Sequence, residues 1–484
     1  MNLKVIFRYV GFALLVSALF MFISILISVG NGNDSALAAL MISFIITFTV
    51  GVFPFIFVRK TSAISLKEGY MIIVLSWVLS FIFGMMPYLL WGGPFSVMNA
   101  WFESVSGFTT TGATILENIE SLPKSLLFWR SATHFIGGLG VVVFLMLVIP
   151  SSSPMRLRLA NMELSSLSKG GYRARANKTV FIFTYVYLGI FLVTMLLYML
   201  GGMTAFDAVN NAFSVCATGG FCPRNESIGA YGSDYINIVT ALMMTVSAVH
   251  FAIIYLIFVT RSLRPLNNPV LKFYLSSILV SAVVVTFALK LDGIEKTWAD
   301  AAINAGFHVA SYVSTTGLAI ADNSSWPQFV CLIMLLLSIQ CGMAGSTSGG
   351  FKADRTFLLI KAVGKYLSRS LHPSSVSEVR IGGRIIRDEE IYPHFVYFGL
   401  YAAVCVASVF LLVMLGNGSY SFAETVASLG NVGISFGKLG TYGNYNSLDE
   451  VSKFILSVNM FLGRVEIYPV LAVASMIFGK RGRV

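Results

Sequence analysis

The sequence predicts an all-α membrane protein of about ten spans: two leading helices, then four tandem helix–loop–helix units. Three observations predict it. The 484-residue chain is 56% hydrophobic and only 11% charged, with a mean hydropathy of +0.79, whereas soluble domains carry about 25% charged residues. Apolar runs long enough to cross a bilayer follow one another along the chain. One glycine-centred motif recurs about every hundred residues. The composition excludes a soluble enzyme, a disordered chain and a disulfide scaffold.

A helix needs about 20 apolar residues to cross. Runs of that kind are Val10–Val29, Leu37–Val58, Tyr70–Leu90, Leu126–Ile149, Val180–Leu200, Tyr235–Thr260, Leu271–Leu289, Phe395–Leu415 and Val451–Phe478. Phe329–Ile339 is shorter and runs into a Gly/Ser stretch. The first run follows Lys4 and Arg8, as in a signal peptide, but it is a span's length and a second run follows at once; we read it as a retained helix.

With the N-terminus inside and the spans alternating, most of the 33 Lys and Arg fall on inner segments. That is the positive-inside pattern, and both termini are then cytoplasmic. Acidic residues gather outside. The net charge of +11 is thus explained by topology, without nucleic acid. An acidic outer face would raise the local cation concentration.

Four outer connections, Trp91–Ser125, Gly201–Asp234, Lys290–Pro327 and Gly416–Glu450, each open with a stretch suited to a short helix and then reach a glycine. The aligned glycines are Gly112, Gly220, Gly317 and Gly433, with Ser106, Ser214, Ser311 and Ala427 six residues earlier. The implied units are 66–165, 166–265, 266–370 (its second helix broken) and 371–484, after an extension over 1–65. Each is a helix–pore loop–helix unit, and the four are expected pseudo-four-fold around one pore. Non-helical backbone at membrane depth must be buried or line a water-filled cavity. Four such loops around one axis would let main-chain carbonyls replace an ion's hydration shell. The filter candidates are Thr110, Thr111 and Gly112; Thr218, Gly219 and Gly220; Thr315, Thr316 and Gly317; and Asn431, Val432 and Gly433. Their hydroxyl and amide oxygens could add to the carbonyls. A carboxylate-free site suits potassium better than calcium or magnesium, which favour acidic oxygens.

These residues resemble the Trk/Ktr/HKT superfamily of cation transporters, most closely its bacterial Trk-type potassium uptake branch. The resemblance rests on SGFTTTGAT from Ser106, ATGGF from Ala217, STTG from Ser314, GNVG from Gly430, GSTSGG from Gly345 and FLGRVEI from Phe461. It covers essentially the whole chain, and the two helices before Tyr70 match the Trk branch. It implies a selectivity filter built on the four glycines and potassium as the transported ion, with no organic cofactor. It also implies a homodimer with one pore per subunit, a cytosolic nucleotide-binding regulatory partner and a bacterial inner membrane. In the second copy, Ser214 and Phe221 decide which glycine is central.

Two features lie inward of the filter. The stretch holding Gly342, Gly345, Ser346, Thr347, Ser348, Gly349 and Gly350 reads either as a gate loop within the membrane or as a cytoplasmic turn; it lacks the spacing of a phosphate loop. Arg464 falls within a span, where a midplane charge costs about 2.5–3.5 kcal/mol. It is expected to face the pore below the filter as a barrier to cations, or else, like Glu466 two residues on, to pair with other helices in packing. Glu103 and Asp207, ahead of the first two glycines, suit either cation steering or a solvated rim. The basic segments Lys352–Arg387 and Ser151–Lys178 suit anionic lipid or a partner protein. His134, His250, His308, His372 and His394 read as packing residues, His308 with a chance to tune its pore helix. The five cysteines show no metal spacing and read as free thiols, the pairing of Cys216 with Cys222 being open. A sodium- or proton-coupled symporter is the alternative function, with Glu466 as its thin support. An enzyme is not expected.

Overall fold

Asn2 caps α1 (Leu3–Gly30) by accepting from the Lys4 amide, and α2 (Leu37–Phe57) returns beside it. Their backbones nearly touch: a methyl on Gly11 would lie 2.7 Å from the Gly51 carbonyl oxygen. Small residues allow such approach where no hydrophobic effect drives helices together. Asp34, in the connecting turn, accepts from Ser28 at 2.6 Å and from the Ser125 hydroxyl at 2.9 Å. The extension is thereby tethered to the rest of the molecule. The computed structural model describes residues 2–58, 65–148, 176–373 and 378–478. The basic stretch Ser151–Lys178, the expected boundary at 165/166 and the C-terminal basic residues from Lys480 lie wholly or largely outside them.

The remaining helices follow in sets. The first set is α3 (Leu66–Trp91), opened by a Ser65–Glu68 capping box, α4 (Val97–Phe108) and α5 (Lys124–Val148). The second is α6 (Ala176–Leu200), α7 (Ala205–Ala217), α8 (Asp234–Ser247) and α9 (Phe251–Thr260). The third is α10 (Pro269–Leu291), α11 (Trp298–Ser314), α12 (Gln328–Gln340) and α13 (Ala353–Leu371). The fourth is α14 (Asp388–Met414), α15 (Ser421–Leu429), α16 (Glu450–Val465) and α17 (Ile467–Phe478). The short helices α4, α7 and α11 are capped by Ser96, Thr204 and Thr297, side chains that satisfy orphan amides at a helix start. Most side chains of α4 and α7, all but one of α15, and the C-terminal half of α11 are buried.

Among the described residues, six helices are long and apolar enough to span, or eight if each of two bent pairs counts once. The expected count of about ten also included α5 and α12, and at 13 residues α12 is too short alone. Two expected spans are not single helices. Tyr235–Thr260 is α8 and α9, bent by 98°, and Val451–Phe478 is α16 and α17, bent by 110°. A broken helix was expected only in the third unit. Exposed side chains such as Phe258, Leu279, Val406 and Phe410 are apolar, which suits a lipid-facing surface.

The all-α expectation needs one amendment. Val379–Ile381 and Arg384–Ile386 form a two-stranded antiparallel hairpin. Gly382 and Gly383 turn it at φ 57° and 81°. Val379, Ile381 and Ile386 pack with Leu358 and Ala362 of α13. A Gly-Gly pair between β-branched runs is the local signal for such a turn, inside a segment that we read only by its charge.

Candidate functional site

The four aligned glycines share one backbone conformation. Each short helix ends in a left-handed residue: Thr110, Thr218, Thr315 and Asn431, at φ 52°, 54°, 62° and 56°. Two residues on, Gly112, Gly220, Gly317 and Gly433 have φ 82°, 90°, 70° and 77°. Each end closes with the same pair of hydrogen bonds. The amides of Thr111, Gly219, Thr316 and Val432 donate to the carbonyls of Ser106, Ser214, Ser311 and Ala427 at 2.8–2.9 Å. The preceding amides donate to Gly107, Val215, Tyr312 and Ser428. This is the Schellman closure, which needs positive φ at its C′ residue. Four chemically different segments therefore arrive at one geometry.

They also meet. A methyl on Gly112 would overlap the Gly219 carbonyl oxygen, and one on Gly220 the Thr316 oxygen. One on Gly317 would overlap the Val432 oxygen, and one on Gly433 the Thr111 oxygen. Each glycine thus abuts the carbonyl just before the next glycine, and the fourth returns to the first. Gly112, Gly220 and Gly317 are half-buried, while the residues before them are buried. Four helix C-termini converge on this ring, each carrying about half a negative charge, an arrangement that favours a cation.

The side-chain oxygens do less than expected. The Thr111 hydroxyl lies 2.8 Å from Thr109 Oγ1 and that of Thr316 lies 2.7 Å from Ser314 Oγ. Thr218 donates to its neighbour's carbonyl at 2.7 Å. Asn431 Nδ2 donates to Thr111 Oγ1 at 3.0 Å and to the Met460 carbonyl at 2.8 Å. These bonds brace the segments, while Thr110 Oγ1 and Asn431 Oδ1 are buried without a hydrogen-bond partner among the described residues.

Glu103 and Asp207 do not sit on a solvated rim. Glu103 is fully buried and lies 2.6 Å from Arg130, itself buried. It also accepts from Thr114 and from the Ile115 amide, so it pins the limb beyond Gly112. Asp207 is 2.9 Å from Arg224 and buried. Pairing with distant arginines is invisible in local sequence. One signal was available: nine residues before each glycine stands a polar side chain, Glu103, Asn211, His308 or Glu424, and all four are buried.

The stretch from Gly342 to Gly350 lies against the ring. Ser348 Oγ is 3.1 Å from Thr315 Oγ1, and the Gly349 amide donates to that same oxygen at 3.1 Å. A methyl on Gly349 would meet the Asn431 side chain. The Thr347 hydroxyl reaches the Cys216 carbonyl at 3.0 Å. Ser346 turns back on Met343, and Gly345 and Gly350 have φ 76° and 67°. The reading as a cytoplasmic turn is thereby replaced by a buried loop packed on three of the segments.

The three helix breaks meet at this loop. Between α8 and α9, the Ala248 carbonyl accepts from Met343 at 2.9 Å, and the Phe251 amide donates to Gly345 at 3.0 Å. Between α16 and α17, Glu466 adopts φ 67° and pairs with Arg355 at 2.8 Å. Breaks free backbone groups that must find partners away from water; the loop supplies them at the α8–α9 break, while at α16–α17 the Glu466 side chain pairs with Arg355 of α13. Arg464, at the end of α16, is buried and donates to the carbonyls of Thr347 and Gly137. It ties the loop to α5. Glu466 is engaged by Arg355 of α13, so both charges pair with other elements, and the carboxylate that gave the symport alternative its thin support is held in an ion pair.

His308 is buried in α11, with Nδ1 2.9 Å from the Asn304 carbonyl and its ring 4.7 Å from Trp326. The five cysteines, Cys216 and Cys222 included, are free.

The family model described as TrkH, cation transport protein, matches residues 36–480. The chain belongs to the TrkH family. Among curated relatives, it is 32% identical over 459 residues to the Trk system potassium uptake protein TrkG of Escherichia coli, covering 92% of each chain. It is also 32% identical to the Trk system potassium uptake protein TrkI of Halomonas elongata, covering 96% of this chain and 95% of that one. The crystal structure of the potassium transporter TrkH from Vibrio parahaemolyticus superposes with a TM-score of 0.88 at 28% identity, covering 99% of this chain and all of that one. The family is one of membrane cation transporters, not enzymes.

Proposed function

We propose that this protein takes up potassium across the bacterial inner membrane, through a selectivity filter formed by the four glycine segments. The observation that carries the reading is the closed ring of backbone contacts through Gly112, Gly220, Gly317 and Gly433. In this reading the units 66–165, 166–265, 266–370 and 371–484 stand pseudo-four-fold around one pore, with 1–65 as an added pair of helices. Potassium is the favoured cation because carbonyls replace a weakly held water coat without a carboxylate. The names of the relatives point the same way.

The Gly342–Gly350 loop is the gate, and Arg464 holds it shut by bridging Thr347 to α5. Opening then requires those bonds to break, with the helix breaks as hinges. A homodimer and a cytosolic nucleotide-binding subunit complete the system, the latter acting on the inner face that carries α13 and the hairpin. Both termini lie inside.

Bi-ionic reversal potentials in proteoliposomes test the filter. Gly317→Ser places a side chain against the Val432 carbonyl at a positive φ, and is expected to lower the potassium-to-sodium permeability ratio about tenfold or more. An unchanged ratio in folded protein would overturn the reading.

A further inference from the structure

The four segments are alike in backbone but not in the residue just before the glycine. Thr111, Thr316 and Val432 are β-branched, whereas the second segment has Gly219. Two consecutive glycines are the most freely turning backbone available, yet the Gly219 carbonyl is the one that abuts Gly112. Something must hold it there.

The volume that a side chain at 219 would occupy is filled from another unit. A methyl on Gly219 would overlap His134 Nδ1 and lie 2.5 Å from its Cγ and 2.7 Å from its Cε1. His134 belongs to α5 and is fully buried. Its ring stacks on Phe221, centroids 4.1 Å apart and planes 15° apart. Its Nδ1 lies 3.4 Å from Ser214 Oγ and 3.4 Å from the Phe221 amide. One turn earlier on α5, Arg130 lies over the same Phe221 ring at 3.5 Å and donates to the Cys222 carbonyl at 3.2 Å. The imidazole therefore touches the second segment before, at and after Gly219.

We propose that His134 is the positioning residue of the second filter segment, its imidazole standing where the other copies carry their own β-branched side chain. In copies one and three, hydroxyls at this position tie the segment to its own helix, through Thr111–Thr109 and Thr316–Ser314. In copy two, the brace comes from α5, the second long helix of the preceding unit. Gly219 is required because any larger residue would collide with the ring, and His134 is required because glycine alone leaves the peptide free to turn. The inference rests on the filter reading above.

The test is a reciprocal exchange, read as permeability ratio in proteoliposomes of the full-length protein. His134→Ala is expected to lower the potassium-to-sodium ratio about fivefold or more. Gly219→Thr alone is expected to abolish selective flux. The double variant His134→Ala with Gly219→Thr is expected to recover the ratio above either single variant, which loss of generic packing would not produce. A His134→Ala protein with the wild-type ratio, or a double variant no better than the worse single, would overturn the proposal. Should His134→Ala fail to extract as monodisperse protein, the double variant decides alone: it must fold and select, and its failure to do so counts against the proposal. Gly317→Ser is the control. If it too leaves the ratio unchanged, the filter reading itself has failed; if it lowers the ratio while His134→Ala does not, only the positioning role is lost.

Discussion

At Glu103 a carboxylate that local sequence offers to incoming cations instead holds the limb that follows Gly112. Buried beside Arg130, it stabilises mainly by not leaving a charge unpaired. Glu103→Ala is therefore expected to cost about 3–5 kcal/mol, seen as a lower unfolding temperature in detergent. A steering residue would leave that temperature alone and change how potassium uptake varies with ionic strength. Arg464 is the opposite case. Its residue type and depth singled it out in the sequence, but its partners, the carbonyls of Thr347 and Gly137, belong to elements far away along the chain. If it latches the loop, Arg464→Ala is expected to raise potassium flux several-fold without altering selectivity. A fluorescence flux assay on vesicles checks this, and an unchanged or lower flux would refute the latch.

At the scale of elements, the informative contrast lies between helices that run through and helices that break. Apolar length located all of them, because a bilayer demands about 20 such residues whatever the packing. It could not show that the α8–α9 and α16–α17 runs bend. Nothing in their hydropathy marks the bends, since the partners come from elsewhere: the Gly342–Gly350 loop bonds the backbone at the first, and Arg355 of α13 pairs with the Glu466 carboxylate at the second. Arg355→Ala removes the partner of Glu466 and is expected to loosen the α16–α17 bend. Faster amide exchange confined to residues near Val465–Ile467 would report it, and uniform exchange rates would contradict it. The hairpin shows a nearer miss. Gly382 at φ 57° suits few other residues, so Gly382→Val is expected to cost about 1–2 kcal/mol locally, read as lost exchange protection over Val379–Ile386 with transport retained.

At the scale of the whole molecule, the ring exists only because distant segments of one chain converge. The sequence alone determined that this is a helical membrane protein, where its apolar runs lie and which four glycines correspond. Those properties are set by composition, span length and spacing, which are local or periodic along the chain. Tertiary structure decided what each side chain near the glycines does. It turned Glu103 and Asp207 into buried partners of arginines, set the hydroxyls of Thr111, Thr218 and Thr316 to bracing, gathered three helix breaks at one loop and brought His134 against Gly219. The physical reason is the same in each case. A buried charge, an orphaned backbone group or an empty volume must be satisfied by whatever the fold brings within a few ångströms, and here the groups that satisfy them come from other elements, often distant along the chain.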